Sequence, residues 1–172
     1  QTERGYRELF EHSAVGMAEV TLEGVFCRVN RMFCRMMACE EKDLLGSRFQ
    51  EITRQDDLKE DVRLVEELKA GVRDRYEMEK RYIRLDGSSL WVHLSVAVVR
   101  DELGSPLYFV STIVDISQRR ADELRLRVLS EAVEQSPVSI VITDPKGGIE
   151  YVDPMFCKVT GYEKEEVLGK NP

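Results

Sequence analysis

A long internal repeat constrains this chain more than any other feature. Residues 11–49 align with residues 134–172 without a gap, at a constant offset of 123 positions, from Glu11 to Glu134. The residues of the first copy that recur unchanged are Glu11, Ser13, Val15, Gly24, Val29, Met32, Phe33, Cys34, Glu40, Leu45 and Gly46. A repeat this long indicates tandem domains, because solenoid units run to about 20–50 residues. The sequence therefore predicts one complete domain, a connector, and the opening part of a second copy.

Composition and charge narrow the classes of function. The 172 residues carry a net charge of −7 and are 42% hydrophobic. Nucleic acids and anionic membrane surfaces attract basic proteins, so this acidic chain is predicted to bind neither. No apolar run approaches the roughly 18 residues of a membrane span, and no signal peptide opens the sequence. We expect a cytoplasmic protein with no membrane contact in this stretch.

The cysteines do not have the spacing of a metal site. The four are Cys27, Cys34, Cys39 and Cys157. None belongs to a CxxC pair, and no histidine stands at zinc-finger spacing from them. The pattern predicts reduced, free thiols, as is usual in the cytoplasm, and no metal.

Hydrophobic periodicity predicts an α+β fold for the first copy. A short helix at Tyr6–His12 precedes two short strands, Val15–Leu22 and Val25–Asn30, which are joined by a glycine turn. Two short helical turns follow, and Asp56–Ala70 then forms a longer helix with an apolar stripe. Three further strands are predicted at Arg75–Leu85, Leu90–Arg100 and Leu107–Ile116. Strands at both ends with helices between them predict one antiparallel sheet with helices on one face.

The order of these elements and several local motifs resemble the PAS domain family. The motifs are "GVFCRVNRMFCRMMACEEKDLLG", "EKRYIRLDGSSLWVHLSVAVVRD" and "PLYFVSTIVDISQRR" in the first copy, and "SIVITDPKGGIEYVDPMFCKVTGYEKEEVLGKNP" in the second. The resemblance implies a five-stranded antiparallel sheet with helices on one face. It also implies a complete PAS domain with a short N-terminal helix over residues 1–117, a linker helix over 118–135, and the first part of a second PAS domain over 136–172.

The resemblance implies a regulatory function within a larger bacterial signalling protein. Such tandem domains commonly precede a histidine kinase, a diguanylate cyclase or a c-di-GMP phosphodiesterase. Two hypotheses stay open. In the first, the module detects a signal or a small ligand and relays a conformational change through the linker helix to a downstream output domain. In the second, it is a ligand-free module for protein interaction and dimerisation.

Catalysis and the familiar chromophores are not expected in this chain. His12 and His93 are the only histidines, and neither belongs to a recognisable triad. The acidic pairs along the 56–70 helix, including Glu60-Asp61, are interpreted as a solvated face. Photoactive flavin relatives carry a reactive cysteine in "GxNCRFLQ". The matching stretches here, Ser47-Arg48-Phe49-Gln50 after Gly46 and Lys170-Asn171-Pro172 after Gly169, contain none. Haem-binding relatives place a histidine on the long helix, which has none here, so the resemblance implies neither a photoactive flavin nor His-ligated haem.

A set of apolar side chains is predicted to face the space between the helices and the sheet. These residues are Phe33, Met36, Met37, Met78, Leu94 and Phe109. They either pack against one another or line a small-molecule pocket, and methionine suits both alternatives because it adapts to irregular shapes. No lysine or arginine is predicted inside the pocket.

The connector between the copies is predicted to carry the signal. Asp115-Ile116-Ser117 resembles the motif that ends many PAS domains, in which the aspartate couples the last strand to the outgoing helix. Ser117 is a suitable N-cap for a helix that begins at Gln118. On that helix Leu124, Val128 and Leu129 form part of an apolar face, which either packs on its own domain or forms a parallel dimer contact.

The hairpin of the second copy raises a separate question. A lone two-stranded hairpin is marginally stable and leaves exposed edges. We therefore expect residues 138–153 to be disordered or to pair with another chain. The predicted partner is a second copy, in a homodimer that is strand- or domain-swapped through residues 136–153.

Overall fold

The computed structural model describes residues 2–171, and the chain separates into two compact units, Gln1–Gln118 and Arg119–Pro172. The first unit is built on a five-stranded sheet in which every neighbouring pair is antiparallel. Its strands are β1 (Gly16–Val20), β2 (Phe26–Val29), β3 (Arg75–Ile83), β4 (Ser89–Arg100) and β5 (Pro106–Asp115). Their order across the sheet is β2-β1-β5-β4-β3. The predicted α+β fold, a five-stranded antiparallel sheet with helices, is confirmed.

The helices of the first unit precede and follow the β1–β2 hairpin. They are α1 (Thr2–His12), α2 (Arg31–Met37), α3 (Glu41–Leu44), α4 (Phe49–Ile52) and α5 (Gln55–Lys69). Helix α5 has Asp56 and Asp57 in its first turn, where acidic side chains favour the positive end of the helix dipole. Asn30 caps α2 by accepting a hydrogen bond from the backbone N–H of Phe33.

The core lies between the sheet and helices α2 to α5. Along β4, Leu90, Val92, Leu94 and Val96 are buried in strict alternation, as their period-2 pattern predicts. The first-unit side chains packed into this core are Ala18, Val20, Phe26, Val29, Phe33, Met37, Leu44, Phe49, Leu64, Val65, Leu68, Tyr76, Tyr82, Phe109 and Ile113.

The turn between β1 and β2 requires glycine. Gly24 has a φ of +87°, and an added Cβ would lie 2.8 Å from Cε1 of Phe49. Both the backbone conformation and the close approach of α4 exclude a larger side chain at this position.

The second unit begins along a long helix. Helix α6 (Ser117–Glu134) is followed by strands β6 (Val141–Thr143) and β7 (Ile149–Val152) and by helices α7 (Pro154–Thr160) and α8 (Lys164–Val167). The two strands pair with each other in an antiparallel hairpin, and Ile149, Val152 and Val167 form a small apolar cluster. The structure therefore describes this segment as a hairpin within one chain, and its pairing with a second chain stays a prediction. No helix among residues 2–171 is long and apolar enough to cross a membrane.

Candidate functional site

A buried ion pair lies in the middle of the first unit. Lys80 points inward from β3 and is 1% exposed, and Asp61 points inward from α5 and is fully buried. The ammonium of Lys80 contacts the Asp61 carboxylate directly, and it donates a second hydrogen bond to Oγ1 of Thr53 at 3.0 Å. Breaking such a pair by removing one partner destabilises a protein by about 3–5 kcal/mol, because the other charge stays buried alone.

Further polar contacts complete the surroundings of this pair. The hydroxyl of Tyr76 donates to Oδ1 of Asp61 at 2.7 Å, and the hydroxyl of Thr53 donates to the carbonyl of Phe49 at 2.7 Å. The Lys80 ammonium also lies 4.5 Å from the ring centroid of Tyr82, where the face of the ring attracts a cation. We call Thr53, Asp61, Tyr76 and Lys80 the core polar cluster.

Burial shifts the titration of this cluster. It lowers the pKa of Lys80, and the nearby Asp61 carboxylate, which favours the ammonium, opposes that shift. Burial also raises the pKa of Tyr76 far above that of an exposed tyrosine, and the negative charge of Asp61 acts in the same direction. Tyr76 therefore stays a neutral hydrogen-bond donor throughout the physiological pH range.

A small cavity adjoins the core polar cluster. Its free volume is about 20 Å³, which is room for about one water molecule. Polar groups come from Lys80, Asp61, Tyr76 and Ser111, and the apolar part of the lining is made by Val20, Phe26, Phe49, Val65, Tyr82, Leu94, Val96 and Phe109. The lining has the composition of a small-molecule site, an apolar enclosure with a few convergent polar groups, but its volume is far below the roughly 300–1,000 Å³ of such sites.

Comparison with known proteins assigns the family. The family described as "PAS domain" matches residues 14–118, which is more than half of the chain. The chain belongs to the PAS family. A second family description, "PAS fold", matches residues 128–172, so both copies of the repeat carry the PAS pattern.

The relatives are signalling proteins that contain PAS regions. The chain is 35% identical over 149 residues to the probable diguanylate cyclase DgcE of Escherichia coli, covering 87% of this chain and 13% of that protein. It is 24% identical over 135 residues to the sensor histidine kinase TmoS of Ectopseudomonas mendocina, covering 78% of this chain and 14% of that protein. This chain thus spans about one seventh of the length of these relatives, and the match lies in their PAS regions.

A solved structure agrees with the fold. The PAS domain of an HTR-like protein from Haloarcula marismortui is 27% identical, with a TM-score of 0.55, and the match covers 67% of this chain and 92% of that domain. The PAS region described here is a sensory module rather than a catalytic one. Among residues 2–171, no group of three or more His, Cys, Asp or Glu side chains could hold a metal ion.

The structure brings only part of the predicted pocket set to the PAS cavity. Leu94 and Phe109 line it. Phe33 and Met37 are fully buried in the core, and Met36 and Met78 pack against the core while half-buried. These four side chains are outside the cavity lining.

Two expectations about charged residues are wrong. No lysine was predicted inside the pocket, but Lys80 lines the cavity, and Asp61 is buried although its helix face was interpreted as solvated. The signal was present in the spacing. Lys80 follows Tyr76 at an even interval on β3 and so shares its inward face, and Asp61 precedes Val65 and Leu68 by four and seven residues on one helix face. Burial was not predicted at either position because Lys and Asp are seldom buried unless they are paired, and the local sequence does not show the partner.

The predicted relay residues lie where the sheet of the first PAS unit ends. Asp115 closes β5, and its Oδ1 accepts a hydrogen bond from the backbone N–H of Ser117 at 2.8 Å. Between them Ile116 is buried, and its N–H donates to the carbonyl of Trp91 on β4 at 3.0 Å. Helix α6 begins at Ser117, one residue earlier than predicted, so Ser117 lies in its first turn. The side chain that accepts a backbone N–H hydrogen bond at this end of the helix is that of Asp115.

The apolar face of α6 is exposed. Leu124 is 62% exposed, and Val128 and Leu129 are each more than half exposed. Packing of these three side chains on their own domain stays a prediction. Their contact with a second copy stays a proposal.

Proposed function

We propose that the first PAS unit is a sensory input module that binds a small molecule in the cavity beside the core polar cluster. It relays the binding through α6 to a downstream output, which is a histidine kinase or an enzyme of c-di-GMP turnover. The observation that carries the proposal is the cavity itself, lined by the buried Lys80–Asp61 pair. The relatives, one a diguanylate cyclase and one a sensor histidine kinase, support the two classes of output.

The charge of the cluster indicates the class of ligand. Asp61 already neutralises Lys80, so a second anion would leave a buried charge without a partner. A neutral molecule with a hydrogen-bonding group can bind to Ser111, Tyr76 or Lys80 while its apolar part contacts Leu94. The free volume of about 20 Å³ is room for about one water molecule, so a ligand of a few heavy atoms binds only if the lining side chains move apart.

The relay follows from connectivity within the sheet. The Lys80–Asp61 pair ties α5 to β3, and β3 is hydrogen-bonded to β4. Strand β4 pairs in turn with β5, which ends at Asp115. A ligand that competes for the hydrogen bonds of Lys80 favours a different spacing of α5 and β3. Such a ligand shifts the population of states only by its difference in affinity for them.

A second candidate function rests on α6. If the cavity holds only water, the exposed side chains Leu124, Val128 and Leu129 favour a ligand-free module that acts through dimerisation. In that case the first PAS unit supplies a rigid base for the helix and takes no small molecule.

An NMR titration tests the first proposal. The isotope-labelled chain is titrated with neutral molecules of a few heavy atoms, such as ethanol, acetamide and dimethyl sulfoxide. We expect saturable chemical-shift changes centred on Leu94, Val96 and Ser111. Ser111→Leu, which fills the cavity, should abolish them, and Ser105→Leu on the exposed β4–β5 turn should not. Shift changes that are scattered over the surface, or equal in the two variants, would contradict binding in the cavity.

A further inference from the structure

One buried asparagine, Asn30, connects the incoming helix of the first PAS unit to the strand and the helix that follow, in addition to the hydrogen bond from Tyr6 to Glu19. Oδ1 of Asn30 accepts hydrogen bonds from the N–H groups of Met17 at 2.9 Å and Phe33 at 3.0 Å. Its amide nitrogen donates to the carbonyl of Phe10 at 2.9 Å and to that of Val15 at 3.0 Å. Phe10 lies in the last turn of α1. A single buried amide therefore ties α1 to the strand and the helix that follow it.

The second copy has an aspartate at the matching position. Asp153 stands 123 residues after Asn30, and its Oδ1 accepts from the N–H groups of Ile140 and Phe156, each at 2.9 Å. These two contacts reproduce those of Asn30. The carbonyls that match the other two contacts belong to Val133 and Val138, and the side chain of an aspartate has no N–H to donate to them. Oδ2 of Asp153 is buried and has no hydrogen-bond partner among residues 2–171.

The end of α1 is also packed more tightly than the end of α6. Phe10 is fully buried at the end of α1, and the guanidinium of Arg28 lies 4.7 Å from the centroid of its ring. Val133, the matching residue on α6, is only half-buried, and no residue of α6 is fully buried in the described chain. The end of α6 therefore lacks both the hydrogen bond and the aromatic anchor that fix the end of α1.

We propose that residues 30 and 153 set how firmly the entering helix is held in each PAS unit. Asn30 makes a fixed joint at α1, and Asp153 makes a weaker joint, which opens more often, where α6 enters the second unit. Helix α6 leaves the first unit at Ser117. A movement of α6 therefore reaches the second unit, or is lost, at this joint. The inference goes beyond ligand sensing and holds whether or not the cavity binds a molecule.

Hydrogen exchange on the full 172-residue chain, measured by mass spectrometry, tests the joint. Asp153→Asn supplies the missing N–H donors, so we expect exchange in peptides spanning residues 128–138 to slow by about 5- to 30-fold, the range that corresponds to one or two hydrogen bonds. Asn30→Asp is the reciprocal change and should speed exchange in peptides spanning residues 6–15. Glu150→Gln removes one charge from an exposed position of the same unit and should leave both segments unchanged.

The outcomes separate cleanly. Slower exchange in Asp153→Asn, together with faster exchange in Asn30→Asp, supports the proposal. Unchanged or faster exchange at 128–138 in Asp153→Asn overturns it, as does unchanged exchange at 6–15 in Asn30→Asp. If Asn30→Asp unfolds the first unit, the result for Asp153→Asn decides alone. A ligand-binding result has no influence on this comparison.

Discussion

Lys80 is a charged residue at a position where the pattern of β3 calls for an apolar one. Moving a charge from water into a protein interior costs several kcal/mol, and only a partner with good geometry offsets that cost. Asp61 is that partner, Tyr76 donates one further hydrogen bond to its carboxylate, and Thr53 accepts one from the ammonium. An apolar pair of similar volume could fill the same space, and we propose that the charges act in binding or signalling.

Removing the positive charge should destabilise the first unit. In Lys80→Met the Asp61 carboxylate stays buried without its cation, so we expect the free energy of unfolding to fall by about 3–5 kcal/mol. The double variant Lys80→Met/Asp61→Leu should recover part of that loss. Denaturant unfolding followed by fluorescence measures it, because the single tryptophan, Trp91, lies on β4.

An exposed ion pair provides the control for this variant. Arg63→Met breaks contacts with Glu60 and Glu67 on the solvent side of α5, and such surface pairs contribute little. An equal loss of stability in Arg63→Met and Lys80→Met would contradict a special role for the buried pair.

At the scale of elements, a second contact joins α5 to β3 near the surface. Asp57 accepts three hydrogen bonds from Arg81, one from its backbone N–H at 2.9 Å and two from its guanidinium at 2.8 Å. The helix is therefore held to the strand at both a buried and a half-exposed point. Since Lys80 and Arg81 are neighbours on β3, a ligand at the cavity acts next to both.

Acid should loosen the contact between Asp57 and Arg81. The hydrogen bonds from Arg81 lower the pKa of Asp57, so the folded state binds a proton less readily than the unfolded state. The stability from this contact is therefore complete above the unfolded pKa, which is about 4 for aspartate, and is lost as pH falls through the lower folded value. Unfolding measured from pH 2 to pH 6 should show a shallower acid decline in Asp57→Asn than in the wild type. Parallel curves would contradict this assignment.

The exposed face of α6 should associate with a second copy. Replacing Leu124, Val128 and Leu129 with serine removes the apolar contact, so we expect a monomer where the wild type is a dimer. Light scattering coupled to size-exclusion chromatography measures the mass. The matched control replaces one valine and two leucines that are exposed elsewhere, Val72, Leu85 and Leu103. A triple α6 variant that stays dimeric would refute the contact.

Sequence patterns predicted the elements better than the site. The alternating apolar residues of β4 and the apolar stripe of α5 were predictable, because burial of one face fixes the spacing of apolar residues along a strand or a helix. The burial of Lys80 and Asp61 depends on a contact between two residues that are 19 positions apart, on different elements. Because both residues are charged, the sequence pattern alone predicted them to be exposed. Asp153 could be noticed from the repeat alone, but its unsatisfied oxygen becomes visible only once the contacts of Asn30 are known.

At the scale of the whole molecule, one fold pattern is used twice along one chain, and α6 connects the copies. The second unit pairs β6 only with β7 in the described chain. Ile149 on β7 exchanges two backbone hydrogen bonds with Gly169 and Lys170, so the outer edge of β6 is the one with no paired strand among residues 2–171. An open strand edge is a template for another strand. We therefore keep the proposal that residues 136–153 exchange or pair between two copies.

Deletion distinguishes this pairing from dimerisation through α6. A chain that lacks residues 134–172 retains the first unit and most of α6. If pairing through 136–153 forms the dimer, the shortened chain should be monomeric in sedimentation velocity. A dimer that survives the deletion would instead assign association to α6 or to the first unit.

Native mass spectrometry of the freshly purified chain, with the denatured mass as reference, tests the central claim most directly. The claim is that the cavity beside Lys80 and Asp61 binds a small neutral molecule. We predict additional mass that is lost on denaturation in the wild type and is absent from the Ser111→Leu variant. A protein that carries no additional mass, or carries the same mass in both forms, would contradict the sensory account and favour the ligand-free module that acts through α6.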